Sequence, residues 1–251
     1  MKIQVDRDVL ADAVAWTARA LPARPTVPVL AGMRLQAGAE LTLSSFDYDV
    51  SAQATVLVTT EEEGSALVSG RLLADITKSL PAQPVEISVD GSRVTITCGS
   101  AKFSLPTMPV EDYPQLPAMP QRAGEVAGEV FGQAVAQVAI AAGRDDTLPM
   151  LTGVRMEIGT EKLTLVATDR FRLAMREFEW HSGGDVPVDT AVLVPARTLA
   201  EAAKTLGTSG NTVEISLASG GGRSRQGRAG CWTRSSRSTA SCCPASTPLP
   251  P

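Results

Sequence analysis

The chain has 251 residues, 43% of them apolar and 20% charged, with a formal net charge of −4 at neutral pH. That composition excludes wholesale disorder and fibrous repeats, and the negative balance excludes a surface built throughout to attract polyanions, while leaving room for a local basic face. Aromatic residues make up only 4%, so the core has to be aliphatic.

In chain order, the opening Met1-Lys2-Ile3-Gln4-Val5-Asp6-Arg7-Asp8 is too charged for the apolar stretch of a secretory signal. Leu10, Val14, Ala18 and Leu21 recur at helical spacing behind Asp6 and Asp8, two possible caps, and predict a first helix. Val50, Ala52, Ala54, Val56 and Val58 alternate with mostly polar neighbours, the pattern of a half-buried strand. Leu72, Leu73, Ile76 and Leu80 predict a second short helix with Arg71, Asp75 and Lys78 on its other face. Val85-Glu86-Ile87-Ser88-Val89, Asp90-Gly91 and Val94-Thr95-Ile96-Thr97 predict a β-hairpin, the Asp-Gly pair supplying a turn with positive φ. Pro114, Pro117 and Pro120 then interrupt any regular element, because proline neither donates to a sheet ladder nor sits inside a helix. Beyond this linker Phe131, Val135, Val138 and Ala142 predict a third helix, residues 154–178 alternating strands, and Leu199, Ala203 and Leu206 a fourth helix.

The two halves repeat one another. Thr26-Val27-Pro28-Val29-Leu30-Ala31-Gly32-Met33-Arg34-Leu35 returns as Thr147-Leu148-Pro149-Met150-Leu151-Thr152-Gly153-Val154-Arg155-Met156. Leu41-Thr42-Leu43 pairs with Leu163-Thr164-Leu165, and Asp47 with Asp169. Val68-Ser69-Gly70-Arg71-Leu72 pairs with Val194-Pro195-Ala196-Arg197-Thr198, and Val85–Val89 with Val213–Leu217. Four blocks in the same order, with an offset that drifts slowly as loop insertions would make it drift, indicate a domain-sized duplication. Each unit is α+β: mostly antiparallel sheet with two short helices.

These residues carry a resemblance. Arg24-Pro25-Thr26-Val27-Pro28-Val29-Leu30, Phe103-Ser104-Leu105-Pro106, Ala167-Thr168-Asp169-Arg170-Phe171-Arg172-Leu173-Ala174 and Val194-Pro195-Ala196-Arg197, together with the duplication, resemble the bacterial β sliding clamp family over roughly residues 1–219. The resemblance implies tandem DNA-clamp domains with the helices on the inner face, three such domains per subunit, and two subunits closing into a ring. Such a ring slides on duplex DNA without sequence preference, hydrolyses nothing and needs no cofactor or metal. Residues 1–120 then form the first domain and 121–219 an incomplete central one.

The basic side chains fit that role, since a sliding ring has to attract phosphates without reading bases. Arg71 and Lys78 recur as Arg197 and Lys204, and Arg24 lies in a motif position of the family; these five are the candidate DNA contacts. Taken singly, each also reads as an ordinary solvated charge. The resemblance further implies a pocket for short peptides of the DNA polymerase III catalytic subunit and the clamp loader. It is carried over to Leu151, Thr168, Arg170, Phe171, Arg172 and Leu173, where the leucines offer apolar walls and Thr168 and Arg172 polar anchors. Phe103 and Leu105 resemble the subunit-facing edge of the first domain; the plainer reading makes them, and the pocket leucines, sheet core.

Other chemistry has less support. His181 is the single histidine, so any Ser-His-Asp or Cys-His arrangement has to pass through it. Asp145, Asp146 and Asp169 offer the rival reading of a carboxylate-metal hydrolase, against which the first two read as turn residues. A third reading is a two-domain peptide-binding module without DNA. No phosphate-binding glycine motif occurs. Cys98 is the only cysteine before residue 220, no apolar run approaches the roughly 20 residues of a spanning helix, and the expectation is a soluble cytoplasmic protein.

Residues 220–251 differ from all that precedes them. They hold five Arg, no acid, six Ser and three of the four Cys, so that residues 1–219 carry 18 basic against 27 acidic side chains, a net of −9. Back-translating Gly230–Thr239 within codon degeneracy and shifting the frame gives Leu-Leu-Asp-Ala-Glu-Phe-Pro-Lys-Tyr, a counterpart of Val110-Glu111-Asp112-Tyr113-Pro114. The expectation is therefore a frameshift near residues 220–225, a disordered tail, no third domain and no closed homodimeric ring. The alternative is a genuine Arg/Ser tail adding non-specific DNA affinity.

Overall fold

The computed structural model describes residues 1–22, 24–47, 50–114, 121–145, 147–183, 190–207, 212–217, 230–235 and 239–244. The chain divides into two units, Met1–Leu116 with Thr233–Arg237, and Pro117–Trp232 with Ser238–Pro251.

The first unit runs β1 (Lys2–Val5), α1 (Arg7–Thr17), β2 (Gly32–Ala37), β3 (Glu40–Asp47), β4 (Val50–Leu57), β5 (Thr59–Glu62), β6 (Gly64–Ser69), α2 (Gly70–Ser79), β7 (Val85–Asp90), β8 (Arg93–Cys98) and β9 (Ala101–Met108). The pairings among these nine strands are antiparallel. β1 lies between β5 and β7, and β7, β8 and β9 follow as a meander whose first turn carries Gly91 at φ +55°. The end of β9 then crosses to a second sheet, where Thr107 and Met108 pair with Val68 and Leu67 of β6, and β6 continues through β2 and β3 to β4.

Asp6 caps α1, its carboxylate accepting from the Asp8 and Val9 amides at 2.9 and 3.3 Å. The helix ends earlier than the spacing of Leu10 to Leu21 predicts. Residues 18–20 form a 3₁₀ turn, and Leu21 is extended because it precedes Pro22, whose ring disfavours helical backbone before it. The apolar stripe of α2 also differs from the expectation. Gly70, Leu73, Ala74 and Thr77 face inward, whereas Leu72, one hundred degrees away from Leu73, is 51% exposed. Arg7 ties the two helices together, donating to the Leu80 and Lys78 carbonyls at 3.1 and 3.2 Å and thereby serving carbonyls at the end of α2.

The second unit repeats the plan with β10 (Gln121–Ala127), α3 (Gly128–Ala139), β11 (Gly153–Ile158), β12 (Lys162–Thr168), β13 (Leu173–Glu179), β14 (His181–Ser182), β15 (Thr190–Pro195), α4 (Ala196–Leu206) and β16 (Thr212–Leu217). β10 lies between β14 and β16 as β1 lies between β5 and β7. β11 lies between β12 and β15 as β2 lies between β3 and β6, and β13 closes the edge beyond β12. α3 packs on α4 at a point where glycine is required: a Cβ on Gly132 would stand 2.8 Å from the Gly207 Cα.

Residues expected to be structureless include two further strands, β17 (Gly230–Ser235) and β18 (Thr239–Pro244). β18 runs parallel to β16, from Thr212 opposite Thr239 to Ile215 opposite Cys242. The edge of β16 offers unpaired backbone groups, and such an edge takes up an extended segment whatever its source.

Both cores are aliphatic, as the composition demands. Leu10, Val14, Leu35, Leu43, Leu73, Ile87 and Ile96 fill the first, and Phe131, Val135, Val154, Leu163, Leu165, Leu199 and Ile215 fill the second. Each large side chain so buried contributes about 1.5–3 kcal/mol.

Candidate nucleic-acid face and peptide pocket

The second helix of each unit carries the same charge pattern. Arg71 and Lys78 on α2 are seven residues apart, and so are Arg197 and Lys204 on α4; two turns at 3.6 residues bring each pair onto one stripe, about 10 Å apart along the axis. All four side chains are exposed. Between them stands an acid in both units: Asp75 lies 3.9 Å from the Lys78 ammonium and Glu201 2.9 Å from that of Lys204. Glu201 is the repeat-mate of Asp75, and its part in the pattern was not visible until helix register placed it between the two cations. Arg24 is exposed in the segment after α1. Arg71 reaches this segment, its Nη2 donating to the Pro22 carbonyl at 3.0 Å, so Arg24 and Arg71 belong to one end of the first unit and Lys78 to the other end of the same helix.

Five of the six candidate pocket residues lie in or beside the loop between β12 and β13. Thr168 and Leu173 are opposite one another at its base. Thr168 donates its hydroxyl to the Arg172 carbonyl at 2.8 Å, and the Arg172 Nε donates to Asp169 Oδ2 at 2.9 Å. The two polar groups expected to anchor a ligand are therefore engaged within the loop and shape it. Phe171 is 90% exposed and Leu173 66% exposed, so Leu173 is not strand core. Leu151 sits half-buried in the 3₁₀ turn 149–151, where its carbonyl accepts from the Gly143 amide at 2.7 Å. Met150 beside it, and Met175 two residues along β13 from Leu173, are exposed apolar side chains that the motif comparison passes over; alternation along a strand would have paired Met175 with Leu173.

The remaining candidates fall elsewhere. Phe103 and Leu105 lie on one face of β9, opposite Ile96 and Val94. Leu105 is 4% exposed and belongs to the unit's own core, leaving Phe103, half-buried, as the one that reaches the surface. Asp145 accepts from the Thr147 amide and hydroxyl at 3.0 and 2.6 Å, and these bonds hold its carboxyl below the ordinary carboxylate range. Asp169 is bonded to its own loop, and Asp146 lies outside the described residues. Among the described residues no group of three or more His, Cys, Asp or Glu stands close enough to hold a metal ion. His181 is exposed on β14. No helix among the described residues is long and apolar enough to cross a membrane.

Comparison with known proteins gives a consistent result. The family profile for the DNA polymerase III beta subunit N-terminal domain matches residues 1–117, and that for its central domain matches residues 125–234. A beta sliding clamp of Streptomyces coelicolor is 60% identical over 222 residues, which are 88% of this chain and 58% of that protein. One from Micrococcus luteus is 51% identical over 218 residues, 86% of this chain and 70% of that protein. The crystal structure of the DNA polymerase sliding clamp from Bacillus subtilis superposes with a TM-score of 0.78 at 28% identity, covering 86% of this chain and 59% of that one. The chain thus spans about three-fifths of the length of most of the proteins it matches.

Proposed function

Because this chain belongs to the DNA polymerase III beta-subunit family, we propose that it acts as a sliding clamp, a non-catalytic cytoplasmic factor that holds the replicative polymerase on duplex DNA. The observation that carries this reading is the stripe of Arg, acid and Lys repeated on α2 and α4. Two cations seven residues apart draw in phosphates from any sequence, and the acid between them keeps the attraction weak enough for movement along the duplex. Arg24 extends the basic surface of the first unit. The docking site for short peptides of the polymerase catalytic subunit and the clamp loader comprises exposed Phe171 and Leu173 with half-buried Leu151, and Thr168, Arg170 and Arg172 form its loop. Phe103, half-buried on β9, is the candidate contact to a second subunit in the same proposal, which does not require this chain to close a ring.

The test is duplex binding as a function of salt. Five phosphate contacts, from Arg24, Arg71, Lys78, Arg197 and Lys204, give a slope of log affinity against log salt of up to about −4.5, because each neutralised phosphate adds about 0.9. Arg71→Ala and Arg197→Ala each flatten the slope by about 0.9 for any duplex sequence. Binding that is independent of salt, or strongly dependent on sequence, rejects the reading.

A further inference from the structure

The loop between β12 and β13 is held in a conformation that its own sequence disfavours. Arg170 has φ +80°, the left-handed region in which a side chain crowds the backbone and glycine alone sits without penalty; among the described residues it is the one non-glycine with positive φ. Two side chains span the loop, Thr168, whose Oγ1 accepts from the Arg170 amide at 3.4 Å, and Asp169, which makes the larger number of bonds. Asp169 Oδ1 accepts from the Phe171 and Arg172 amides at 3.1 and 3.0 Å, and Oδ2 accepts from Arg172 Nε at 2.9 Å. The Asp169 amide and the Thr168 hydroxyl both donate to the Arg172 carbonyl and close the base. What this arrangement produces is an aromatic ring in water: Phe171 projects from the tip with the Arg170 guanidinium 6.0 Å from its centroid, and Leu173 and Met175 continue the exposed apolar surface along one face of β13. Folding gains nothing from a strained backbone that presents a bare ring, so the arrangement points to use by a ligand.

We infer that Asp169 is the positioning residue of the peptide site, and that it acts by holding Arg170 in its left-handed conformation so that Phe171 and Leu173 are presented to the apolar side chains of a docked peptide. This rests on the peptide-docking reading above and adds the residue through which the site is organised. Asp169 is ionised under the conditions in which it has to work. Partial burial pushes its carboxyl up, but the Phe171 and Arg172 amides and the Arg172 guanidinium together outweigh this and hold it below the ordinary carboxylate range. Arg170 in turn lies within electrostatic reach of Asp145, whose turn is fixed by Thr147.

The experiment uses the full chain and a fluorescein-labelled hexapeptide ending in Leu-Leu-Phe, with one ending in Leu-Leu-Ala as control, read by fluorescence polarisation alongside thermal unfolding. Asp169→Ala is expected to weaken binding of the first peptide by about tenfold, the loss of several loop hydrogen bonds, while the unfolding temperature stays nearly unchanged. Asp169→Asn keeps the acceptor for both amides and loses the ion pair, so it weakens binding by only about threefold. Arg170→Gly in the Asp169→Ala background restores most of the affinity, because glycine takes the left-handed conformation without a lock. A merely structural role for Asp169 predicts no such rescue. Binding by Asp169→Ala equal to that of the wild-type chain, or failure of Arg170→Gly to recover it, overturns the inference and leaves the pocket standing. A wild-type chain that does not distinguish the two peptides removes the pocket itself, and the role of Asp169 with it.

Discussion

The acid between the two cations of each basic stripe gives the sharpest test of the proposed DNA contact. Asp75 and Glu201 sit three residues before Lys78 and Lys204, with N···O separations of 3.9 and 2.9 Å, and the lysine side chains are both 69% exposed. Ion pairs this exposed are worth about 0–1 kcal/mol, so each lysine is held only loosely and a phosphate competes with its carboxylate for the ammonium. The double variant Asp75→Asn, Glu201→Gln keeps side-chain size and hydrogen bonding and removes two negative charges. If each released lysine gains one phosphate, the salt slope steepens by about 0.9 per lysine, or about 1.8 in all. Between about 50 and 200 mM salt the variant should then lose about tenfold more affinity than the wild-type chain, and at the lower salt it should bind tighter. Anisotropy of a short labelled duplex across that range measures both quantities, and circular dichroism checks that α2 and α4 are intact. An unchanged slope, with intact helices, would falsify the idea that these acids moderate phosphate contact.

Three further outcomes follow from the packing. Burial pushes the Tyr113 phenol up to about 12, outweighing the Phe46 backbone and the Arg34 guanidinium, which favour the phenolate. Because the folded value lies above the unfolded one, this stabilisation is complete below pH about 10 and is lost as pH rises towards about 12, a total of about 2–3 kcal/mol. Tyr113→Phe should remove that alkaline loss; identical denaturant midpoints for both chains through this range would count against it. Gly132→Ala should destabilise the second unit by about 1–3 kcal/mol despite the better helix propensity of alanine, since the new methyl meets the Gly207 backbone; a raised melting temperature would contradict the close approach of α3 and α4. Asp6→Ala should cost about 1 kcal/mol through the lost cap on α1, and Asp6→Asn almost nothing, in urea unfolding; equal losses from both would point to charge rather than capping.

How much of this was legible in the sequence depends on the range of the interaction concerned. The duplication was legible because a repeated fold needs repeated core positions, and Leu41, Leu43, Leu163 and Leu165 are all fully buried. The Asp-Gly hairpin was legible because positive φ is a local demand. The exact inward stripe of α2 was not, since Leu72 and Leu73 are equally apolar and only the sheet beneath decides which faces it. The pocket candidates came from the family resemblance, which says nothing of how their loop is built. Thr168 and Arg172 read as ligand anchors because their side chains are polar, whereas the structure engages them within the loop. Asp169 appeared as the repeat-mate of Asp47, in the family motif and in the rival metal reading, but not as an organiser of the loop. An Asp followed at two and three residues by amides it can accept from is a recognisable turn pattern, and it is the signal that finds this residue.

The two copies of one strand show where such reasoning stops. Val85-Glu86-Ile87-Ser88-Val89 in β7 and Val213-Glu214-Ile215-Ser216-Leu217 in β16 differ in a single position, and both bury their first and third residues. Both also take an antiparallel neighbour on one side, β1 and β10 respectively. On the other side β7 takes antiparallel β8, and β16 takes parallel β18. Side-chain alternation fixes which face of a strand is buried, but the backbone edge is the same for every sequence and accepts either direction. What selects β8 is the turn that follows β7, Asp90-Gly91, which returns the chain antiparallel before any distant segment can compete. The residues after β16 hold no such turn pair at the corresponding place, and the edge pairs with a segment more than twenty residues further on. A strand therefore encodes its burial and leaves its neighbour to be chosen by the residues beside it.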